Sequence, residues 1–411
     1  MYRVHFLACK GTFHFFVTNS TSPTQKRLKP KWINDKILRS RKDSKSRSAY
    51  SKFLLGKLIS LKNKVKPMNA LEISFKSSLP PQQIRVSLGS AITLGLLQGK
   101  TDAAPTTAYL MTYNPGKCSA NCGFCPQARG SQSKTELLSR VSWPTFSTSI
   151  AIESIVNGFR AGKIRRVCIQ ALNYPQVFTD LTLFVKALKR STSVPTSVSC
   201  QPLTSENMWS LARAGADRIG IAIDAANEQL FDKIKGKAAG GPYKWHEEFV
   251  MLRTAIGVFG EGNVSTHLIV GLGETELDLA QTVQKCVDLG VNPGLFAFTP
   301  VFGTTLAHNP QPKLEIYRRV QLARHLIVNS LARFEDMSFN TAGQIVDFGI
   351  GAEELAEVVE SGEPFLTSGC ADCNRPFYNE KPSGPIYNYP QKLTAQEIAE
   401  TKRQLGLTKK Q

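Results

Sequence analysis

From Thr107 onward the chain alternates between short apolar runs and longer amphipathic ones. The short runs are Thr107–Tyr113, Arg166–Leu172, Thr196–Gln201, Arg218–Asp224, Ser265–Leu272 and Leu295–Val301. They have the length and content of strands buried on a parallel sheet. Between them apolar positions recur at helical spacing near 147–161, 177–190, 205–214, 244–259 and 274–289. Gly162, Gly215 and Gly290 follow three of these segments, as glycines that end helices do. Repeated βα units imply an α/β fold with a parallel sheet. No phosphate-binding GxGxxG accompanies them, which favours a TIM-type (β/α) barrel over a doubly wound sheet.

After residue 304 a helix (Pro312–Asn329), a strand around Met337–Ala342 and a helix at Ala352–Glu360 extend the series. The barrel is therefore expected to be partial, with six units, or complete, with eight. Upstream, the stripe Val86, Ile92, Leu96, Leu97 predicts a helix from Ile84 to Gly99. The resulting division is an extension (1–67), a helical lead-in (68–106), a core barrel (107–306), a barrel-completing region (307–363) and a turn-rich tail (364–411). No internal repeat is visible.

Charge changes the picture only at one end. The 411 residues carry +19, but residues 1–67 hold 17 Lys/Arg against Asp35 and Asp43. The rest is near neutral, so the charge belongs to an extension expected to be disordered. Three readings apply to it: Met68 as the real start, an organellar transit peptide, or a nucleic-acid arm. No apolar run approaches the length of a bilayer span, and no membrane association is expected. The expected location is cytoplasmic, or organellar if the extension is a transit peptide.

The nine cysteines are clustered, which points to metal or iron–sulfur ligation more than to disulfides. Cys118, Cys122 and Cys125 lie on one loop directly after the first strand of the series, at the barrel end where such folds place active sites. Three thiolates on one loop can hold three irons of a [4Fe–4S] cube and leave the fourth open. A structural zinc site would want four ligands in two short knuckles, and no second knuckle is close by.

This CxxxCxxC loop, with Phe124 before its last cysteine, resembles the signature of the radical S-adenosylmethionine superfamily. The resemblance implies a [4Fe–4S] cluster whose open iron chelates S-adenosylmethionine. It implies reductive cleavage to a 5′-deoxyadenosyl radical, and an adenine packed near Phe124. Leu268–Glu274 resembles the family's fifth strand, with Ile269 and Gly271 toward the adenine. Ile221–Asp224 resembles its fourth, with Asp224 within reach of the ribose or else capping the turn before Asn227. Phe302–Leu306 resembles the turn after the sixth strand.

Within the superfamily the chain resembles biotin synthase. Cys168 and Cys200 match positions of that enzyme's auxiliary, sulfur-donating cluster. The rest of that ligand set is not met: Ser265 stands where a cysteine is expected, and no arginine is found around Phe339. Lone buried cysteines also serve as small hydrophobes, a reading that suits Cys286. The sequence offers instead Cys370 and Cys373 in a CxxCNRPFYNE tail. With Cys168 and Cys200, or with a partner protein, this pair would complete an auxiliary iron–sulfur cluster.

The tail and the cysteine loop together resemble the biotin-synthase-like component of the two-protein lipoyl synthases of archaea. That resemblance implies sulfur insertion into a protein-bound octanoyl chain. It also implies a carrier substrate (a lipoyl domain or an H protein), a second radical S-adenosylmethionine subunit and an electron donor such as ferredoxin. Asn374, Arg375 and Asn379 would then line the substrate side of the auxiliary cluster, unless Arg375 merely pairs with Glu380. Biotin synthase or another small-molecule enzyme of the superfamily is the alternative. A nucleic-acid-binding iron–sulfur protein is a third reading, ranked low because the body lacks a basic stripe interleaved with aromatics.

Overall fold

The computed structural model describes residues 2–9, 12–19, 79–201 and 203–407. The chain divides into two compact units, Met1–Phe75 and Lys76–Gln411. In the first, β1 (Tyr2–Cys9) and β2 (Thr12–Asn19) pair antiparallel, Tyr2 opposite Asn19 and Cys9 opposite Thr12. The extension at 1–67, expected from the sequence to be disordered, lies mostly outside the described residues. Short period-two runs (Val4, Phe6, Ala8 and Phe13, Phe15, Val17) suffice for a hairpin and are easily hidden beside a charge-rich stretch. Residues 20–78 lie outside the described residues.

The second unit is built on one eight-stranded sheet. β3 (Gln83–Val86) leads into the short helix α1 (Leu88–Thr93), and β4 (Thr107–Thr112) follows. A small hairpin, β5 (Leu137–Leu138) with β6 (Val141–Ser142), precedes β7 (Thr145–Ser147) and α2 (Thr148–Arg160). The series runs on through β8 (Arg166–Gln170), α3 (Val177–Ser191), β9 (Thr196–Ser199), α4 (Ser205–Ala214) and β10 (Arg218–Gly220). Then come α5 (Glu228–Ile234), α6 (Trp245–Phe259), β11 (Val264–Val270), α7 (Glu276–Asp288) and β12 (Asn292–Ala297). Last are α8 (Leu314–Val328), β13 (Ser338–Phe339), β14 (Ile345–Asp347), α9 (Ala352–Glu360) and α10 (Ala395–Leu405).

The strand order is β12-β11-β10-β9-β8-β4-β3-β7, with the first six parallel and β3 and β7 antiparallel at one edge. This is a partial barrel of six βα units. The complete, eight-unit alternative is overturned: the strand expected near Met337–Ala342 pairs with β14 in a two-stranded sheet of its own. The helix expected from Ile84 to Gly99 is also corrected. Ile84–Val86 belong to β3, and only Leu88–Thr93 is helical. There the antiparallel partner β4 overrides the local period.

Alternation explains the two faces of the parallel sheet. Leu110, Val167, Ile169, Ile219, Leu268 and Val270 are buried in the core, whereas Tyr109, Cys168, Ser197, Ser199, His267 and Phe296 line an internal cavity. Caps place the helices: Thr204 accepts the Asn207 N–H ahead of α4, Gly215 (φ +110) ends it, and Thr275 and Asp278 form a capping box on α7.

The open side of the barrel is filled by the tail. Ser368 Oγ accepts the Leu295 N–H of edge strand β12 (2.7 Å), and Asn292 donates to Gly369 O (3.0 Å). Further on, Arg140 of the β5–β6 turn donates to Phe377 O and Glu380 O (both 2.7 Å). The edge strand's unpaired backbone is thereby covered without another strand.

Candidate active site

The cysteine loop leaves β4 at its C-terminal end and is tied down on all sides. Cys118 N donates to Gln127 O (2.9 Å), Ser119 N to Asn173 O (2.7 Å) and Gly123 N to Ile234 O (2.7 Å). Lys117 staples the loop through Pro126 O and Ser133 O (2.6 Å each). Cys118, Cys122 and Cys125 are free thiols that line one cavity of about 550 Å³. The Asn173 N–H points at Cys118 Sγ (3.1 Å).

Burial pushes the Cys122 thiol well up and the Cys125 thiol up to about 12. Thiols so buried become ligands only where a metal's charge replaces the proton. Among the described residues no three Cys, His, Asp or Glu side chains converge closely enough to share one metal ion. Three thiolates carried on one loop are the donors that a cluster takes, one to each of three irons. The donor set therefore fits the expected [4Fe–4S] group.

Phe124, Asp224 and Ile269 line the same cavity. Asp224 has a left-handed backbone (φ +66) and pairs with the fully buried Lys235 at 2.8 Å. Lys235 also donates to Ala222 O (2.5 Å). Burial alone would lower the Lys235 pKa, but Asp224 and Glu248 hold it raised. Burial pushes Glu248 up to about 7 against the pull of Lys235. With its amide turned, Gln201 joins Lys235 (2.6 Å) to Glu248 (3.0 Å). The turn before Asn227 does not need Asp224, since Asn227 itself caps α5 by accepting the Leu230 N–H.

Gly271 is placed differently from the expectation. Its φ of +103 and a Cβ position 2.9 Å from Pro312 Cδ explain the glycine, and it does not line the cavity. Glu274 instead accepts the Gly271 and Leu272 N–H groups (2.6 and 2.9 Å).

The second cysteine set lies deeper in the barrel, beside the middle of β4 and β8 and away from the loop at their C-terminal ends. Cys373 Sγ is 3.4 Å from Tyr109 Oη, and Ser197 Oγ is 3.9 Å from Cys370 Sγ. Cys168 pairs across the sheet with both Tyr109 and Ser197, and it feels Cys370 and Cys373 electrostatically. Cys168, Cys370 and Cys373 therefore share a neighbourhood on the cavity floor. Cys200 does not join them. It lines the same cavity but lies just past the end of β9, three residues beyond Ser197, and burial alone raises its thiol pKa.

Arg375 lines the cavity, its guanidinium carbon 3.8 Å from the Phe296 ring centroid and its side chain bonded to Ser368 O. Among the described residues its Nε has no hydrogen-bond partner. Arg375 makes no direct ion pair with Glu380 among the described residues, though its charge still pulls the Glu380 pKa down against burial. Asn374 is turned away: its amide accepts the Thr106 N–H and donates to Ala104 O, both at 2.9 Å, and it does not line the cavity. It pins the tail to the chain entering β4, which corrects the expected substrate-side role. Asn379 does line the cavity.

Sequence reasoning missed Lys235, Glu248 and Tyr109. Lys235 shares a helix face with Phe231, and Tyr109 shares a strand face with Met111. Those periodicities were the available signal. His267 does face the cavity, 4.8 Å from the Phe296 ring, and burial pulls it down to about 4.

A family model described as Radical SAM superfamily matches residues 115–286. A biotin synthase of Sphingopyxis alaskensis is 24% identical over 298 residues, covering 66% of this chain and 85% of that protein. An uncharacterized protein of Methanocaldococcus jannaschii is 24% identical over 192 residues, 45% of this chain and 48% of its own length. Among solved structures, methylornithine synthase aligns over 58% of this chain and 66% of its own, at 12% identity and a TM-score of 0.43.

Proposed function

Given that the chain belongs to the radical S-adenosylmethionine superfamily and is biotin synthase-like, we propose that it inserts sulfur into an unactivated C–H bond of a protein-bound octanoyl chain. Cys118, Cys122 and Cys125 would hold the [4Fe–4S] cluster. That cluster, when loaded, supplies the electron that cleaves S-adenosylmethionine to a hydrogen-abstracting radical. Phe124, Ile269 and the Lys235-anchored Asp224 form the wall on which the cofactor would rest. Cys168, Cys370 and Cys373 would hold an auxiliary cluster as the sulfur source. The carrier would be a lipoyl domain or an H protein, with a second superfamily subunit and a ferredoxin-like donor as partners.

The observation that carries this reading is the placement of two cysteine sets at different depths of one cavity. A substrate between them would face the radical on one side and sulfide on the other. The biotin synthase relatives favour a second reading, in which the same chemistry acts on a small molecule.

The test is to purify and reconstitute the protein without oxygen, then count iron and sulfide. The count is repeated on a variant with Cys118, Cys122 and Cys125 all changed to Ala. Substantial iron and sulfide left in the variant, with sulfur insertion by wild type on an octanoylated H protein, is expected. No residual iron would remove the sulfur-source reading. Turnover to biotin without turnover of the octanoyl-protein would select the small-molecule reading.

A further inference from the structure

The cavity has a second lip, remote from the cysteine loop. β3 runs antiparallel to β4, and Ser87 N donates to Tyr109 O (3.0 Å). The helix that follows, α1, therefore lies at the N-terminal end of the parallel strands, where Ser90 Oγ reaches Thr107 O (3.5 Å). Leu88, Ile92, Ala103 and Pro105 line the same cavity as Tyr109, Cys168 and Cys373. Leu88 is 43% exposed and so reaches solvent while lining that cavity. Lys100 and Asp102, both exposed, stand at the outer rim.

A path thus leads from the surface to the floor cysteines without passing Cys118, Cys122 or Cys125. Its wall near the surface joins the aliphatic Leu88, Ile92, Ala103 and Pro105 to Thr101 and to Ser87 and Ser90, whose hydroxyls bond each other (2.9 Å), and its apolar part suits a flexible hydrocarbon chain. We propose that this passage between α1 and the 100–105 loop admits the acyl chain, its carboxyl end still joined to a carrier that stays outside by Lys100 and Asp102. The inference rests on the octanoyl-protein reading and adds the direction of entry. The chain would approach the Cys168–Cys373 end first, and its far carbons would extend toward the cysteine loop.

The test uses a synthetic lysyl peptide acylated with an octanoyl chain that carries a diazirine near its carboxyl end. It is photolysed with the reconstituted protein and the labelled residues are mapped by mass spectrometry. Labels between residues 87 and 105 are expected. Leu88→Trp should lower the labelling at least tenfold and Leu88→Ala should keep it, with iron content and S-adenosylmethionine binding as in wild type. Labels around Phe302–Leu306, no labels at all, or equal labelling of Leu88→Trp would overturn the entrance. Sulfur insertion with labels elsewhere would remove the entrance and keep the proposed function. Labels between 87 and 105 without sulfur insertion would do the reverse.

Discussion

Tyr109, in the middle of β4, holds its phenol oxygen 3.4 Å from the sulfur of Cys373, 264 residues further along the chain. The same oxygen accepts the Arg375 N–H at 2.8 Å and shares a hydrogen bond with the sulfur. Both bonds are partly buried, and together they join the tail to the sheet at the cavity floor. Tyr109→Phe removes them and strands the Arg375 N–H, at about 1 kcal/mol for each lost bond. The expected outcome is faster limited proteolysis between residues 366 and 380. Iron held independently of the cysteine loop should fall, while S-adenosylmethionine binding is kept.

The two lone strand cysteines should behave differently. Cys168 lies beside Cys370 and Cys373, and Cys200 stands apart. In a background lacking the loop cysteines, Cys168→Ala is expected to lose at least half of the residual iron and Cys200→Ala almost none. Equal losses would contradict the grouping on the floor.

Burial raises Glu248 and Glu380 from 4.5 to about 7. A raised carboxyl pKa favours the folded state at low pH. That contribution is complete below about 4.5, declines between 4.5 and 7, and is gone above 7. His267, lowered from 6.5 to about 4, acts in the opposite sense: its contribution is present above 6.5 and lost as pH falls through 4. Urea unfolding of Glu248→Gln across pH 4–8 should show a smaller loss of stability with rising pH than wild type. An unchanged slope would show that Glu248 does not titrate in this window.

Gly303 supports the cysteine region from behind. Its φ is +82, and a Cβ there would fall 2.6 Å from Ser133 N and 2.8 Å from Gln132 C. Its carbonyl accepts the Gln132 N–H and the Ser131 hydroxyl. Gly303→Ala should cost about 1–3 kcal/mol, seen as a lowered Tm, with a matching loss of iron from the loop. A Tm equal to that of wild type would mean that the 131–133 segment yields freely.

Every residue of the proposed site belongs to the unit Lys76–Gln411. Deleting residues 1–75 is therefore expected to leave iron content and S-adenosylmethionine binding within twofold of wild type. A large loss of both would give the basic extension a part in the reaction and revive the nucleic-acid reading.

The sequence by itself determined the periodic elements and the local ligand loop. The helix expected at 205–214 is found as Ser205–Ala214, and the segment Ala352–Glu360 is helical as expected. Cys118, Cys122 and Cys125 needed only spacing, because a short loop brings neighbours in sequence together in space. Partner choice over long separations was not legible. The strand expected to begin at Leu295 begins at Asn292, because Pro293 and Gly294 read as breakers yet are tolerated on an edge strand. Only the tertiary structure decided that Met337–Ala342 stays out of the main sheet and that the tail fills the barrel's open side. It alone turned Asn374 outward, separated Cys200 from Cys168 and placed Lys235 behind Asp224. Periodicity reports which face of an element is buried. Which element covers that face is settled by edge hydrogen bonds and close packing between segments far apart in the chain.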